Sequence, residues 1–356
     1  MRIAFLSTHL TGTGHLVRTA ALARAGLARG HEVLVLNGGR ALGHLDLSDL
    51  NIHQLPPVTV GEDLDYKTLR MPDGTAADTS YLAGRRDQIV EALRNFAPDI
   101  LVTETYPLGR RNLAAEYRAA LEATAALRIA SVRDIPEPKP KRLREVEVDL
   151  ADFAALLVHG DAAVIPLSAS WPLAGLDHVI HYTGYVAEED ASELVPGGVL
   201  VSVGGGIHGR RLLPIAAAAA ATSSRPWRIL VGGWDLGGLD LPKAPNLVIE
   251  PVRSDYRGLL AGAEVSISLC GYNTALDLAA CETPAILVPM AERGEQEQSI
   301  RARHLATYDG IELMELEALT PDTLAEQVDR MVGQRRAKIP LATDGAARSI
   351  EVLERL

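Results

Sequence analysis

Short apolar runs alternate with longer amphipathic stretches along the chain. The first run, Arg2–Ser7, is followed by Leu16–Arg29, in which apolar residues recur at helical spacing until Gly30. A second apolar run, His31–Asn37, comes next and ends at two glycines. Strands joined by such helices cross over to lie parallel, so the alternation predicts a parallel β-sheet covered by helices on both faces.

The alternation continues through the first half of the chain, stops, and begins again. A stretch rich in acidic residues, glycine and proline between residues 184 and 198 separates the two series. The first series predicts helices at Thr79–Phe96 and Leu113–Ala126, and strands at Asp99–Glu104, Ile129–Val132 and Phe153–His159. The second predicts strands at Val199–Val203, Arg228–Val231, Asn246–Ile249, Val265–Leu269 and Ala285–Val288, and helices at Arg210–Thr222, Asn273–Cys281, Gln296–Ala306 and Asp322–Val332.

We therefore expect two doubly wound, Rossmann-like α/β domains, an N-terminal one at residues 1–186 and a C-terminal one at 187–340. The amphipathic segment 341–356 is expected to form a helix that packs back onto the first domain. Ligands of doubly wound sheets bind beyond the carboxyl ends of the strands, so candidate functional residues are sought there.

Composition limits the class of protein. Of the 356 residues, 47% are apolar and 23% charged, which is typical of a globular protein and too apolar for a disordered one. The longest apolar run, Leu212–Ala221, has about half of the ~20 residues that a membrane-spanning helix requires. The net charge of −11 disfavours wholesale binding to nucleic acid.

The first residues and the cysteines bear on cellular location. The N-terminus is typical of a β-strand and lacks the long apolar core and cleavage site of a signal peptide. Cys270 and Cys281 are too few for a disulfide framework or a cysteine-based metal site. We therefore expect a cytoplasmic protein.

A glycine-rich loop with a histidine joins the first strand to the first helix. Gly12 and Gly14 let the backbone approach a ligand, and the helix N-terminus presents N–H groups to an anion. The positive end of that helix lowers the pKa of His15 and keeps its imidazole neutral, as a general base requires. Val17 stands where a dinucleotide-binding fingerprint has its third glycine. We predict that His15 is catalytic; the alternative is a capping loop with an incidental histidine.

A second glycine loop follows the first strand of the C-terminal domain. Gly204, Gly205 and Gly206 could cradle a phosphate group through their backbone amides, without the lysine of a Walker motif. Many α/β turns are rich in glycine for steric reasons alone, so this motif indicates phosphate binding no more strongly than it indicates a tight turn.

The most specific motif is Gly271–Asp277, where a strand ends and a helix begins. Gly271 permits a sharp turn, and the N–H groups and side chains of Asn273 and Thr274 would face a diphosphate. Asp277 follows Asn273 by one helical turn and lies on the same face, where a carboxylate can bind both hydroxyls of a ribose. The alternative is an ordinary N-cap with an exposed acid.

The glycine-histidine loop, the motif Gly271–Asp277 and the segment Pro289–Gln298 together resemble MurG-like glycosyltransferases of family 28. The last two segments also resemble the C-terminal signature of UDP-glycosyltransferases. Further stretches, such as Ser131–Ile135 and Val158–Asp161, are similar to a bacterial subgroup of predicted glycosyltransferases. The resemblance covers both halves of the chain in order, and implies the GT-B fold, in which two Rossmann-like domains face each other across a cleft.

The resemblance also implies roles for single residues. It makes His15 a histidine near the acceptor and the sugar, Asp277 the acid that binds the ribose, and Gln298 a contact of the donor sugar. Arg301 stands where the family commonly has asparagine. The predicted donor-binding set is Gly204, Gly205, Gly206, Val252, Arg253, Gly271, Tyr272, Asn273, Thr274, Asp277, Glu297 and Gln298.

Polar residues also end or follow the strands of the first domain: Glu104, Tyr106, Arg110, Arg111, Arg133, Asp134, His159 and Asp161. Any one of them is more often a loop contact than a catalyst, but together they predict a polar acceptor site. Glu104 or Asp134 would orient His15 or act as the base in its place. Guanidinium groups suit carboxylates and phosphates, and the predicted acceptor or phosphate contacts are Gly12, Gly14, Arg18, Arg110 and Arg133.

The leading hypothesis is a metal-independent, inverting glycosyltransferase of the hexosyltransferase type. It would use a UDP-sugar, with UDP-GlcNAc among the candidate donors. His15 would deprotonate the acceptor, and helix N-termini would stabilise the leaving diphosphate, so no cofactor or divalent metal is expected. The run Asp63–Asp65 resembles a D-x-D metal motif but is interpreted as solvated surface.

Two alternatives remain from other classes. The loop Gly12–Arg18 also resembles that of the UDP-sugar hydrolase of pseudaminic acid synthesis, so a nucleotide-sugar hydrolase or epimerase of the same architecture is the second hypothesis. The third is a protein that binds sugar nucleotides without catalysis, since a fold alone does not give a function.

Membrane contact depends on the basic stretch Lys139–Arg144. MurG-like enzymes act on a lipid-linked acceptor, and this stretch is the candidate for docking. Acidic residues flank it and little apolar surface accompanies it, so we interpret it as a solvated loop, with weak peripheral association as the alternative. The expected partners are a UDP-sugar and a small-molecule or lipid-linked acceptor, and not nucleic acid.

Overall fold

The computed structural model of the protein describes residues 1–10, 12–42, 45–61, 66–187, 193–203, 207–232, 241–290 and 295–356. The chain forms two compact units. The first comprises Met1–Glu188 together with Ala342–Leu356, and the second comprises Glu189–Leu341. Over the ranges given above, each helix is too short or too polar to cross a bilayer.

Strands and helices alternate along the described residues. The strands span Arg2–Ser7 (β1), Glu32–Asn37 (β2), Ile52–Gln54 (β3), Ile100–Glu104 (β4), Leu127–Arg133 (β5), Ala155–His159 (β6), Ile180–Tyr182 (β7), Val199–Ser202 (β8), Trp227–Val231 (β9), Leu247–Pro251 (β10), Val265–Ser268 (β11), Ala285–Leu287 (β12) and Ile311–Leu313 (β13). The helices span Gly14–Ala28 (α1), Thr79–Phe96 (α2), Ala114–Glu122 (α3), Leu143–Leu150 (α4), Leu212–Thr222 (α5), Tyr256–Gly262 (α6), Tyr272–Ala279 (α7), Glu297–Leu305 (α8), Pro321–Met331 (α9) and Gly345–Arg355 (α10).

The first unit contains a parallel sheet with the strand order β3-β2-β1-β4-β5-β6-β7. All residues of β4 and β6 are buried, because helices cover both faces of the sheet. Helices α2 and α3 pack on one face, and α1 and α10 on the other, where Ile350 and Leu353 of α10 join the core. The order turns between β1 and β4, so Ser7 and Glu104 end the two strands at the switch point, where ligands bind.

The second unit repeats this plan with the strand order β10-β9-β8-β11-β12-β13. Helices α5 and α9 pack on one face of its sheet, and α6, α7 and α8 pack on the other. The switch point lies between β8 and β11, which end at Ser202 and Ser268. The motif Gly271–Asp277 follows β11 directly, so it lies at the carboxyl edge of this sheet.

These two parallel sheets confirm the predicted fold class, but one predicted loop is wrong. Residues from Pro140 form a turn of 3₁₀ helix, and α4 begins at Leu143, within the stretch that we interpreted as a solvated loop. Val146 and Leu150 of α4 are buried at helical spacing, so an apolar stripe fixes the helix. The adjacent proline favours a helix start rather than a loop.

Candidate active site

The loop between β1 and α1 leaves open space at a helix N-terminus. The N-cap residue Thr13 makes no side-chain capping bond, and the first turn, as described, contains no acidic residue. A Cβ added at Gly12 or Gly14 would meet no described atom within 4 Å, so packing within the protein does not require glycine at either position. The small residues and uncapped N–H groups instead suit the approach of an anionic ligand.

His15, in the first turn of α1, contacts Glu104 at the carboxyl end of β4. Its Nδ1 lies 3.0 Å from Glu104 Oε1, and the His15 side chain is 20% exposed. Arg18 Nη2 and Thr105 Oγ1 also lie 3.3 Å from Nδ1, but the carboxylate is nearer and can only accept, so we assign the proton to Nδ1, which donates it to Oε1. Nε2 is then the basic nitrogen and the atom that can take a proton from a ligand.

Arg18 lies one turn further along α1 and faces the same carboxylate. Its guanidinium forms an ion pair with Glu104, and both side chains are about 95% buried. Burial raises the pKa of Glu104, but the charge of Arg18 and the hydrogen bond from His15 outweigh it and hold that pKa well below its usual value. Glu104 is therefore an ionised acceptor at neutral pH.

Burial and, after it, the charge of Arg110 lower the pKa of His15 to about 3, although Glu104 opposes them. The imidazole is therefore neutral at physiological pH, because of burial and the neighbouring guanidinium charge. An anion bound at Arg110 would remove the second of these causes and raise the pKa of His15.

The second oxygen of Glu104 begins a hydrogen-bonded chain that crosses three neighbouring strands. Ser131 Oγ in β5 lies 2.7 Å from Glu104 Oε2, and His159 Nε2 in β6 lies 2.9 Å from Ser131 Oγ. On the other side of the ring, His159 Nδ1 lies 3.0 Å from Thr183 Oγ1. Glu104, Ser131, His159 and Thr183 are all 3% exposed or less, so water does not compete for these bonds.

Two further basic side chains near this edge have buried nitrogens without a hydrogen-bond partner among the described residues: Arg110 at Nε, and His9 at both ring nitrogens. His9 follows β1 and is 4% exposed. Burial lowers the pKa of Arg110. Burial also lowers the pKa of His9, and the charge of Arg110 acts in the same direction. Since buried polar groups are nearly always satisfied in native proteins, these nitrogens are candidates to bind a ligand.

The remaining predicted residues of the first unit are in varied surroundings. Arg133 is partly exposed at the end of β5, and its charge contributes to the lowered pKa of Arg110. Asp134 is fully buried, and its Oδ1 accepts from the N–H of Ile135 at 2.8 Å. Asp161 Oδ1 accepts from the N–H of Ala163 at 2.9 Å, a contact within its own turn that is common for an acid at the end of a strand.

In the second unit, α7 begins at an uncapped N-terminus as well. Gly271 is its N-cap and has φ −68° and ψ 164°, an extended conformation that any residue can adopt, so the backbone at this position does not require glycine. A Cβ at Gly271 would meet only Thr274 Oγ1, at 4.0 Å, among the described atoms. Asn273 is exposed in the first turn, as a phosphate contact requires, whereas Tyr272 is buried.

Asp277 lies on α7 and is paired with a residue that the sequence did not single out. Its Oδ1 accepts from Arg257 Nε of α6 at 2.7 Å, and the Asp277 side chain is 12% exposed. Burial raises the pKa of the adjacent Tyr256, as does the charge of Asp277, and the Tyr256 hydroxyl bonds Ser202 at the end of β8. Asp277 is thus held by Arg257, near the tyrosine that contacts the end of β8.

Gln298 and Glu297 join α8 to the ends of two strands. Gln298 Oε1 accepts from the N–H groups of Cys270 and Met290, both at 3.2 Å, so the carboxamide nitrogen is the end that can face a ligand. Arg301 is 1% exposed and donates to the Cys270 carbonyl at 2.7 Å and to Glu297 Oε1 at 2.8 Å. Glu297 and Arg301 therefore hold the strand ends in place.

The other predicted donor contacts are peripheral or not described. Val252 is 49% exposed, and Arg253 is paired with Asp255 at 2.7 Å. Gly204, Gly205 and Gly206, and the Asp63–Asp65 run, lie outside the described residues. Within the described ranges, His, Cys, Asp and Glu form no group of three or more that could hold a metal ion.

Sequence reasoning did not find Ser131, Thr183, Arg257 or Tyr256 as site residues. A signal existed for Ser131, because a polar residue near the end of an otherwise apolar strand faces the ligand edge of the sheet. The pairing of Arg257 with Asp277 joins two helices, and no local pattern in the sequence indicates it.

Comparisons with known proteins bear on both units. The glycosyltransferase family 28 C-terminal domain matches residues 238–353. The UDP-N-acetylglucosamine–N-acetylmuramyl-(pentapeptide) pyrophosphoryl-undecaprenol N-acetylglucosamine transferase of Prochlorococcus marinus is 33% identical over 101 residues, 28% of this chain and 27% of that protein. A protein of the same name from Methylorubrum extorquens is 27% identical over 260 residues, 73% of this chain and 65% of that protein. The chain thus spans from about a quarter to just under two thirds of these relatives.

Solved structures match over the whole chain. MurG of Acinetobacter baumannii has a TM-score of 0.65 at 14% identity and covers 100% of both chains. The glycotransferase of kitacinnamycin has a TM-score of 0.66 at 16% identity, over 99% of this chain and 98% of that one. At these identities the likeness shows the GT-B fold. Together, the match of residues 238–353 to the family 28 C-terminal domain, the sequence relatives and the solved structures show that the chain has the GT-B fold and is similar to MurG-like glycosyltransferases of family 28.

Proposed function

We propose that the protein transfers a sugar from a UDP-sugar to an acceptor, by an inverting mechanism that requires no metal. The observation that carries the proposal is the pairing of His15 with Glu104, which gives a neutral imidazole with a basic Nε2 at a helix N-terminus. The relatives from Prochlorococcus and Methylorubrum are named as transferases of N-acetylglucosamine from its UDP derivative, so UDP-GlcNAc is the first donor to test.

The proposed chemistry is one displacement at the anomeric carbon. His15 Nε2 takes the proton of the acceptor hydroxyl as its oxygen forms the new bond, and the bond from carbon to the UDP oxygen breaks. Glu104 accepts from Nδ1–H, so it stabilises the imidazolium that this step creates. Attack opposite the leaving group inverts the configuration.

In this proposal the second unit binds the donor. The uncapped N-terminus of α7, with Asn273 and Thr274 in its first turn, faces the diphosphate and stabilises its charge as it leaves. Asp277, held in place by Arg257, binds the ribose hydroxyls. Gln298 contributes its carboxamide nitrogen to the sugar.

The first unit is proposed to bind an acceptor with an anionic group. Arg110 and His9 have buried nitrogens without hydrogen-bond partners in the described part of the chain, and Arg133 adds positive charge. An anion there would satisfy these groups and raise the pKa of His15, so the base would gain strength when the acceptor binds. The named relatives use a pyrophosphoryl-undecaprenol acceptor, which carries such a group.

Hydrolysis is the second candidate, because the pair His15–Glu104 would also remove a proton from water. The test is an incubation of the protein with UDP-GlcNAc, with and without a panel of acidic and neutral acceptors, in which UDP release and the anomeric configuration of the product are measured. Acceptor-dependent UDP release with an inverted product supports transfer. Equal release without any acceptor supports hydrolysis, and no release from UDP-, GDP-, TDP- or ADP-sugars contradicts both.

A further inference from the structure

The chain of hydrogen bonds behind Glu104 extends away from the reacting groups. His159 and Thr183 do not contact His15, yet they are connected to it through Ser131 and Glu104 by distances between 2.7 and 3.0 Å. The chain crosses β4, β5 and β6. Glu104 pairs in register with Ser131, whereas His159 pairs with Arg133, two residues beyond Ser131 on β5.

The direction of these bonds follows from Glu104 being ionised. A carboxylate only accepts, so the Ser131 hydroxyl donates its hydrogen to Oε2. The Ser131 oxygen must then accept from His159, which requires a proton on Nε2. The neutral His159 ring consequently has no proton on Nδ1, and Nδ1 accepts from the Thr183 hydroxyl.

The opposite direction is disfavoured. If Ser131 donated to His159 instead, Glu104 Oε2 would lose this donor in a site where the carboxylate is 3% exposed. A doubly protonated His159 is disfavoured because burial and the charge of Arg18 together lower its pKa to about 3. Every donor along the chain therefore points towards Glu104.

We propose that His159 is a positioning residue for the catalytic pair: through Ser131 it fixes Oε2 of Glu104, and so holds Oε1 against His15 Nδ1. The two histidines then carry opposite tautomers, Nδ1–H at His15 and Nε2–H at His159. The kinetic consequence rests on the proposed transferase function, whereas the tautomers do not depend on it.

The tautomers are tested by two-bond ¹H–¹⁵N correlation spectra of the full chain with labelled histidine, at neutral pH. His15→Gln and His159→Gln variants assign the two ring systems. The proposal requires the Nε2–H pattern for His159 and the Nδ1–H pattern for His15. An Nδ1–H pattern at His159 overturns it, whether or not the protein proves to be a transferase.

The kinetic test compares two amides at position 159. A glutamine amide reaches the place of the Nε2–H donor, whereas an asparagine amide reaches only the place of Nδ1. We expect His159→Asn to lower kcat ~10- to 100-fold, the range that loss of an outer hydrogen-bond partner costs at metal sites, with donor KM unchanged. His159→Gln should retain most of the activity, and His178→Gln, on an exposed histidine of the same unit, is the matched control.

A double-mutant cycle separates positioning from loss of stability. Ser131→Ala interrupts the same chain, so the variant with both Ser131→Ala and His159→Asn should be no slower than the slower single variant. If the losses in kcat of the two single variants multiplied in the double variant, Ser131 and His159 would act independently, and the proposal would be overturned. It would also be overturned if His159→Gln and His159→Asn lost kcat equally and in proportion to the fall in their unfolding midpoints, because His159 would then have a structural role alone.

Discussion

His15 Nδ1 lies 3.0 Å from Oε1 of Glu104, although 89 positions separate the two residues in the sequence. The contact forms because α1 begins beside β1, and β4 is the next strand in the sheet. The strand order therefore brings a helix-terminal base and a strand-terminal acid together at the switch point. Arg18, on the same helix face, keeps that acid ionised.

Replacing Glu104 by glutamine should lower kcat ~10²-fold or more, because the imidazolium formed in the reaction loses its countercharge. UDP affinity should be unchanged, since the donor contacts are proposed in the second unit. Steady-state kinetics and calorimetry measure the two effects. Glu122→Gln, at an exposed position of α3, is the matched control. A Glu104→Gln enzyme with unaltered kcat would contradict the role of the pair.

The same substitution should also destabilise the first unit. It leaves the guanidinium of Arg18 buried without its ionised partner, and breaking a buried pair costs ~3–5 kcal/mol of unfolding free energy. Arg110→Met should cost little, because the buried Nε of Arg110 has no hydrogen-bond partner in the described residues. Urea unfolding of both variants measures the difference. If the Arg110 variant lost as much stability as Glu104→Gln, Arg110 would be a structural residue and not a ligand contact.

The stability of the protein should fall as the pH is lowered from about 6.5 to about 3. His15 and His159 have folded-state pKa values of about 3 against 6.5 in the unfolded chain, so the unfolded state binds more protons across this window. Their contribution is fully present above pH 6.5 and is lost as the pH approaches 3. Unfolding free energy measured across this range should have a smaller slope for His159→Gln, and an unchanged slope would show that His159 is not buried in the neutral form.

Arg110→Ala should raise the KM of an anionic acceptor and leave the affinity for UDP unaltered, because the guanidinium is proposed to bind the acceptor alone. The exposed Arg94 of α2 offers the control, Arg94→Ala. The two variants are compared with an acidic acceptor and with a neutral analogue of it. An equal change in KM for both acceptors would exclude an anion contact.

Asp277→Asn should weaken UDP binding ~10- to 100-fold, since hydrogen bonds of ribose to a carboxylate contribute ~1.5–3 kcal/mol. A UDP analogue that lacks the ribose hydroxyls should bind the Asp277→Asn variant and the unaltered chain with equal affinity. Asp309→Asn, at an exposed position of the same unit, is the control. Calorimetric titration with UDP measures both, and undiminished affinity would refute the ribose contact.

The sequence predicted the two α/β domains because fully buried parallel strands and amphipathic helices have different periodicities. The glycine loop before His15 and the acid at position 104 were also found, since each lies at a strand end. Strands β3, β7 and β13 were not predicted, because their three residues are mostly exposed or only partly buried and form no apolar run, unlike the equally short but fully buried β12.

Pairings between residues distant in sequence could not be predicted in the same way. Arg18 was expected to face a ligand, but the structure turns it inward to Glu104, and the choice depends on which strand follows β1 in the sheet. Likewise, Arg257 reaches Asp277 only because α6 and α7 pack on the same face of the sheet. Such contacts depend on the order of the strands in the sheet, and the local pattern of a single sequence does not determine that order.

The central claim is that His15 is the base of a sugar transfer from a UDP-sugar. The most direct measurement is a comparison of His15→Ala with the unaltered chain, in which transfer is followed by UDP release and UDP binding by calorimetry. We expect kcat to fall at least ~10²-fold, the contribution of a general base, while the Kd for UDP stays the same. Full transfer activity in the His15→Ala variant would contradict the account.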